Sequence, residues 1–324
     1  MFDNYLLSSH VRKIMKGYIV LILLLAGCTQ VETSVVSEFG NSIELYFCPR
    51  EDCESSLIGI IHSAKKSVHC ALYDVDLKTL IAELENMKVD VKIIMEKDNF
   101  ENQIKVDIVL DDDKQLMHNK FCVIDGEIVA TGSFNPTENG NFKNHNNLII
   151  IPSKYLAQNY EDEFNELWKE KFGIGVSSKY QIINYNNQVI ENYFCPEDDC
   201  GENLIHEILN AKKSIYFMSF SFTDEKIADA LLFSKVSVKG IVDKKQLTNR
   251  FSQIPRLIDF GIEIGATDAT MHHKVFVIDE EIVITGSYNP TWSGDNRNDE
   301  NILIIRSNKI AERYLEEFEY LYTI

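Results

Sequence analysis

Side chains two residues apart in an extended chain share a face. In the stretch MHNKFCVIDGEIVATGSFNP, residues 117–136, His118 and Lys120 therefore present an imidazole and an ammonium side by side. The stretch returns as MHHKVFVIDEEIVITGSYNP at 271–290, with fourteen of the twenty positions identical, so His272 and Lys274 repeat the pair. Such a pair has little reason to lie in an apolar core and good reason to face an anion. Further on, Gly132-Ser133 and Asn135, matched by Gly286-Ser287 and Asn289, bring hydroxyl and amide donors to the same surface. Lysine, hydroxyl and amide together describe a pocket for phosphoryl oxygens, which makes Ser133, Asn135, Ser287 and Asn289 candidate phosphate-binding residues. The two histidines would add a nucleophile and a proton donor.

The elements that must position these residues are also duplicated. YFCPREDCESSLIGIIHSAKKSVHCALYDV (46–75) aligns with YFCPEDDCGENLIHEILNAKKSIYFMSFSF (193–222), so the repeat extends well beyond the motif. Within the first copy, SSLIGIIHSAKK and TLIAELENM carry helical spacing, while SVHCALYDV and VDVKIIM read as buried strands. KFCVID and EIVATGS predict a hairpin turning at Asp125-Gly126, NLIII a further strand, and SKYLAQNYEDEFNELWKEKF a closing amphipathic helix. The second copy repeats the series and ends in a helix from about 307 to 322. Alternating strands and helices predict an α/β sandwich in each copy. Asp125 and Asp279 fall at the turn, out of phase with the His and Lys, and are expected to be structural. His273 falls on the opposite face from His272 and is expected to pack. His145 is expected near the rim of the cleft, together with the loops NPTENGNF and NPTWSGDN and Trp292. The acidic run LDDDK (110–114) reads as a solvated loop rather than a metal site.

The full spacing H-x-K-x4-D-x6-G-S-x-N, present twice, resembles the signature of the phospholipase D superfamily. The resemblance implies two tandem phospholipase D-like α/β/α sandwich repeats related by a pseudo-two-fold axis, with both motifs in one central cleft. It implies phosphodiester chemistry without a cofactor or metal, through a covalent phosphohistidine. It further implies His118 as nucleophile and His272 as general acid and base, with Lys120 and Lys274 supporting the phosphoryl oxygens. Members usually carry an acid about 28 positions after the motif histidine to orient an imidazole; Glu300 stands there in the second copy, but Asn146 stands there in the first. Where such acids cross between halves, Glu300 would back His118. Lipases, nucleases and phosphatidyl transferases share this chemistry, so the substrate has to be argued separately.

Composition bears on that question. Fifty acidic against 32 basic residues give a net charge of −18, which disfavours nonspecific nucleic-acid binding. The stretch MKGYIVLILLLAGCTQ (15–30) has a basic start, a short apolar run and the ending Leu25-Ala26-Gly27-Cys28. This predicts a lipoprotein-type signal over 1–27, lipidation of Cys28, and an exported, membrane-anchored protein facing outside the cytoplasm. Removing 1–27 takes away Asp3, Arg12, Lys13 and Lys16, which leaves 29 basic and 49 acidic residues, or −20. Export predicts local disulfides in CPREDC (Cys48, Cys53) and CPEDDC (Cys195, Cys200). Cys70 and Cys122, in apolar runs, are expected as buried small hydrophobes. The predicted organisation is a tether over 28–40, repeats over 41–172 and 188–324, and a linker over 173–187. One chain holds both motifs, so a monomer suffices for activity. The favoured reading is a phospholipid phosphodiesterase, with an exported endonuclease or a phosphatidyl transferase as alternatives.

Overall fold

The computed structural model describes residues 35–100 and 104–323; the expected signal segment and Cys28 lie outside the described residues. The duplication becomes two sheets with one strand order. In the first repeat that order is Glu44–Cys48, Asn146–Ile151, Ile128–Gly132, Lys120–Ile124, Ser67–Leu72, Asp90–Glu96 and Asp107–Asp111. In the second it is Gln188–Cys195, Glu300–Arg306, Ile282–Gly286, Lys274–Ile278, Ser214–Ser219, Ser237–Asp243 and Glu263–Thr267. Two further strands, Ile182–Tyr185 and Val35–Glu38, extend the second sheet at its edge.

Period-two alternation decides what each face meets. On strand Lys120–Ile124, Phe121 and Val123 enter a core shared by both repeats, while Cys122 and Ile124 enter a core belonging to the first repeat alone. The closing helices Lys154–Leu167 and Asn308–Thr323 send Tyr160, Phe164, Tyr314 and Phe318 into the shared core, between the two sheets. Helices Cys53–His62 and Lys78–Asn86 cover the other face of the first sheet; Cys200–Asn210 and Glu225–Phe233 do so for the second. With both faces covered, all five residues of each motif strand are buried.

Three expectations need correction. The tether contributes strand Val35–Glu38, which pairs in parallel with Ile182–Tyr185 from the expected linker. Open sheet edges take up polar segments because their backbone groups need partners, and hydropathy does not reveal that. Strands Asp107–Asp111 and Glu263–Thr267 and the short helix Ile254–Asp259 were likewise illegible in pattern. Finally, Cys70 and Cys122 are buried as expected, but they form a disulfide, because antiparallel pairing sets them directly opposite each other. At the corresponding pair in the second repeat, Phe217 and Phe276 stack with ring centres 5.8 Å apart. The disulfides Cys48–Cys53 and Cys195–Cys200 are both present.

Asp125 and Asp279 reach beyond their turns. Asp125 accepts hydrogen bonds from the backbone N–H groups of Lys65, Lys66 and Ser67, and Asp279 from Lys212, Lys213 and Ser214, at 2.6–3.1 Å. Each carboxylate thus ties the hairpin to the start of the neighbouring antiparallel strand. Burial works to raise both carboxyls, but the backbone donors outweigh it and hold them below the ordinary value. Their stabilisation is present above the unfolded pKa and is lost as pH falls through the lower, folded one. Asp125→Ala should lower stability by about 1–3 kcal/mol at pH 7 in urea unfolding, with the deficit shrinking on acidification below about pH 4.

Candidate active site

The motif histidines stand just ahead of strands Lys120–Ile124 and Lys274–Ile278, where the backbone of each repeat meets that of the other. The His118 N–H donates to the Asp299 carbonyl at 3.0 Å, and the Asp299 N–H donates to Leu116 at 2.9 Å. The His145 N–H donates to Thr270 and the His272 N–H to His145, both at 2.9 Å. These reciprocal bridges, Met117 to Asp299 and His145 to Met271, are the self-complementary contacts of a two-fold interface. They draw both motifs into one site. Gly132 and Gly286 make the corner possible: a Cβ on either would lie 2.4 Å or less from the carbonyl of Asn147 or Asn301.

Each imidazole is held from across the interface. His118 Nδ1 lies 2.8 Å from both carboxylate oxygens of Glu300. His272 Nδ1 lies 2.7 Å from Asn146 Oδ1 and 3.0 Å from the Ser133 carbonyl. With Nδ1 so engaged, Nε2 is the nitrogen each ring has left for substrate. Lys120 and Lys274 donate to the carbonyls of His118 and His272 at 2.5 and 2.7 Å. Tyr73 and Phe220 occupy equivalent positions beneath these pairs. Tyr73 meets His118 edge-on at 4.7 Å and lies 4.9 Å from Lys120 Nζ; Phe220 lies 5.1 Å from both His272 and Lys274 Nζ.

Electrostatics binds the four groups into one unit. Burial, then the charges of Lys120 and Lys274, push His118 well below its ordinary value. His272 is depressed by burial, by both lysines and by His118. Burial pushes Lys120 down to about 7, with Glu300 and Asp74 pulling it back up, and burial and the Lys120 charge hold Lys274 well below its ordinary value. Burial raises Glu300 to about 8 against the pull of the same lysines. The cleft therefore under-protonates its cations, and a bound anion would restore their charge. Neutral imidazoles, lysine donors and the Glu300 carboxyl group behind one ring can support attack on phosphorus and proton transfer to a leaving oxygen.

The remaining candidates divide. Ser133 and Ser287 are fully buried and turn inward: Ser133 Oγ donates to Asn147 Oδ1 and accepts from the Asn147 N–H, both at 3.0 Å, and Ser287 Oγ accepts from the Asn301 N–H at 3.0 Å. The hydroxyls expected to bind phosphate thus brace the corner, because the sharp turn after the glycine swings them toward the neighbouring strand. Asn135 and Asn289 are half-buried, with amide oxygens that have no partner; an amide oxygen only accepts, so any contact with a phosphoryl oxygen falls to the amide nitrogens. His145 is buried rather than at an exposed rim, held by its backbone bridges. His273 lies in the interior with Nδ1 3.2 Å from Asn147 Oδ1. Trp292 is exposed under the Arg297 guanidinium.

Asp111, expected in a solvated loop, is fully buried. It and Glu96 both accept from the Met117 N–H, at 3.0 and 3.2 Å, directly ahead of His118. Acidic composition concealed this, since a buried carboxylate and a solvated one look alike in sequence. Tyr73 and Phe220 were also missed, their aromatic character blending into the apolar strands they follow.

Both repeats match known proteins. The family described as "Cardiolipin synthase, PLD-like domain" matches residues 57–168 and 204–322. A phospholipase D of Rickettsia prowazekii is 33% identical over 144 residues, covering 43% of this chain and 70% of that protein. A mitochondrial cardiolipin hydrolase of Xenopus laevis is 34% identical over 136 residues, 40% of this chain and 65% of that protein. In fold, the chain resembles the phosphatidylserine synthase of Haemophilus influenzae, with TM-score 0.64 and 15% identity over 86% of this chain and 85% of that one.

The Glu96 and Asp111 carboxyls generate a pH effect. Burial, then the Asp111 charge, raises Glu96 to about 7. A raised carboxyl pKa means the folded state holds its proton more tightly, so this contribution is full below the unfolded pKa and is lost as pH rises through about 7. Glu96→Gln, which mimics the protonated acid, should show a smaller fall in Tm between pH 5 and 8 than the wild-type chain by scanning calorimetry.

Proposed function

The chain belongs to the phospholipase D superfamily, and from that premise we propose that it hydrolyses phospholipid head groups through a phosphohistidine formed on His118. The observation that carries the assignment is the unequal backing of the two rings: Glu300 stands behind His118, but the neutral Asn146 stands behind His272. Positive charge developing on the attacking imidazole draws Glu300 toward its carboxylate form, which then stabilises that charge, whereas a neutral partner leaves the other ring the better acid.

In the first step His118 Nε2 attacks phosphorus, the bond from phosphorus to the head-group oxygen breaks, and His272, which takes up a proton when the anionic substrate binds, gives that oxygen its proton. In the second, neutral His272 takes a proton from water, the water oxygen attacks phosphorus, and His118 leaves. Lys120 and Lys274, with Asn135 and Asn289, stabilise the equatorial oxygens, where charge accumulates. The acidic balance of the chain supports a lipid over a polyanion, as do relatives whose names specify phospholipase D and cardiolipin hydrolase. A lipid anchor at Cys28 would hold the cleft beside its substrate.

The full chain should release head groups from phospholipid vesicles, including cardiolipin, while leaving plasmid DNA intact, and His118→Asn should abolish that release. Plasmid nicking without lipid turnover would make it a nuclease, and transfer to added glycerol a synthase. Reactions quenched in alkaline denaturant should trap the phosphatidyl group on His118; trapping on His272 in the wild-type chain would reverse the assignment. Glu300→Gln should lower kcat by about 10²–10⁴-fold.

A further inference from the structure

Beneath each histidine dyad lies a second contact made by the residues next in sequence. Asn119 follows His118, Asn301 follows Glu300, and Asn301 Nδ2 donates to Asn119 Oδ1 at 2.7 Å. His273 follows His272, Asn147 follows Asn146, and His273 Nδ1 lies 3.2 Å from Asn147 Oδ1. Side chains alternate along extended backbone, so the dyads face the cleft and these clasps face the interior. All four clasp residues are fully buried.

The clasps have opposite polarity. Asn301 turns its nitrogen to Asn119 and its oxygen outward, accepting from Thr131 Oγ1 and the Tyr160 hydroxyl, both at 3.1 Å. Asn147 turns its oxygen to His273 and its nitrogen outward, donating to Thr285 Oγ1 at 2.9 Å and the Tyr314 hydroxyl at 3.0 Å. An imidazole Nδ1–H can only donate, whereas an amide oxygen can only accept, so the residue between His and Lys dictates the direction of its clasp. Threonine and tyrosine hydroxyls can rotate to serve either direction. Farther in, Asn119 Nδ2 donates to Glu163 at 3.2 Å, and His273 Nε2 faces Glu317 at 3.7 Å.

We infer that Asn119 is a positioning residue: through Asn301 it fixes the spacing of His118 and Glu300, and the middle residue of each H-x-K motif sets the geometry of its dyad. The kinetic part of this inference rests on the proposed phosphodiesterase activity; the structural part does not. No cleft-facing atom is involved, so the effect falls on turnover rather than on substrate affinity.

Three full-length proteins, the wild type, Asn119→Ala and Asn119→His, decide the matter. Removing a group that orients a reacting side chain should lower kcat about 10–100-fold with KM within about twofold. Asn119→His reproduces the second repeat's clasp with its polarity reversed and should recover most of that loss. Independently of any activity, histidine-labelled NMR should show the His118 Nδ1–H resonance, assigned by its loss in His118→Asn, in the wild type and in Asn119→His. It should be broadened or absent in Asn119→Ala. The inference is overturned if Asn119→Ala keeps the wild-type kcat and resonance, or if Asn119→His is as impaired as Asn119→Ala on either measure. Should Asn119→Ala fail to fold, Asn119→His decides alone: the resonance retained supports the clasp, and its loss refutes it. A wild-type chain without hydrolytic activity would remove the proposed function, leaving the NMR comparison to judge the clasp.

Discussion

Two lysines and two histidines buried in one cleft form a charge problem, and the contact of Glu300 with His118 across the repeat interface is what makes it tractable. An uncompensated buried charge is among the most costly features a fold can carry. The cleft answers partly by depressing its cations and partly by supplying Glu300, which draws on Lys120 and Lys274 as well as on the imidazole beside it. Because Glu300 belongs to the second repeat and His118 to the first, the site exists only when the repeats are docked. The backbone bridges beside it, Met117 to Asp299 and His145 to Met271, secure that docking.

The backbone is nearly symmetric, but the chemistry hung on it is not. Equivalent positions carry Glu300 and Asn146, Tyr73 and Phe220, Asn119 and His273, Asp299 and His145, and Glu197 and Arg50. The last pairs show the consequence in the interior. On one side burial works to raise Glu317, but His273 and then Arg50, which it meets at 2.5 Å, hold it below its ordinary value. On the other, Glu163 is raised well above it by burial and by Glu197 and Asp299, which favours the protonated acid there. Duplication delivers two copies of a scaffold, and divergence at its buried polar positions lets one imidazole differ from the other in what stands behind it.

Beneath the cleft, asparagine, threonine and tyrosine side chains from both repeats satisfy one another where an apolar interface would otherwise have sufficed. A fully paired polar interior contributes less to stability than to a unique arrangement, since any slip leaves donors and acceptors buried and unpaired. Asn147 and Asn301 illustrate this: each reaches a threonine and a tyrosine of the opposite repeat, so a single register of the two halves satisfies both.

Much of this was legible in the letters of the chain. The repeated H-x-K pattern identifies His118, Lys120, His272 and Lys274; period-two and helical spacing mark most strands and the closing helices; the spacing to Glu300 marks the acid. These are local properties, because side-chain periodicity follows from backbone geometry alone. What required three dimensions was every relation between distant segments. The Cys70–Cys122 disulfide depends on which strands are neighbours, the inward turn of Ser133 and Ser287 on the corner beside Asn147 and Asn301, the burial of Asp111 on its donor Met117, and the clasps on the docking of two repeats. A residue's type states what it can bond to, but its partner is chosen by chain packing, and packing is a property of the whole fold.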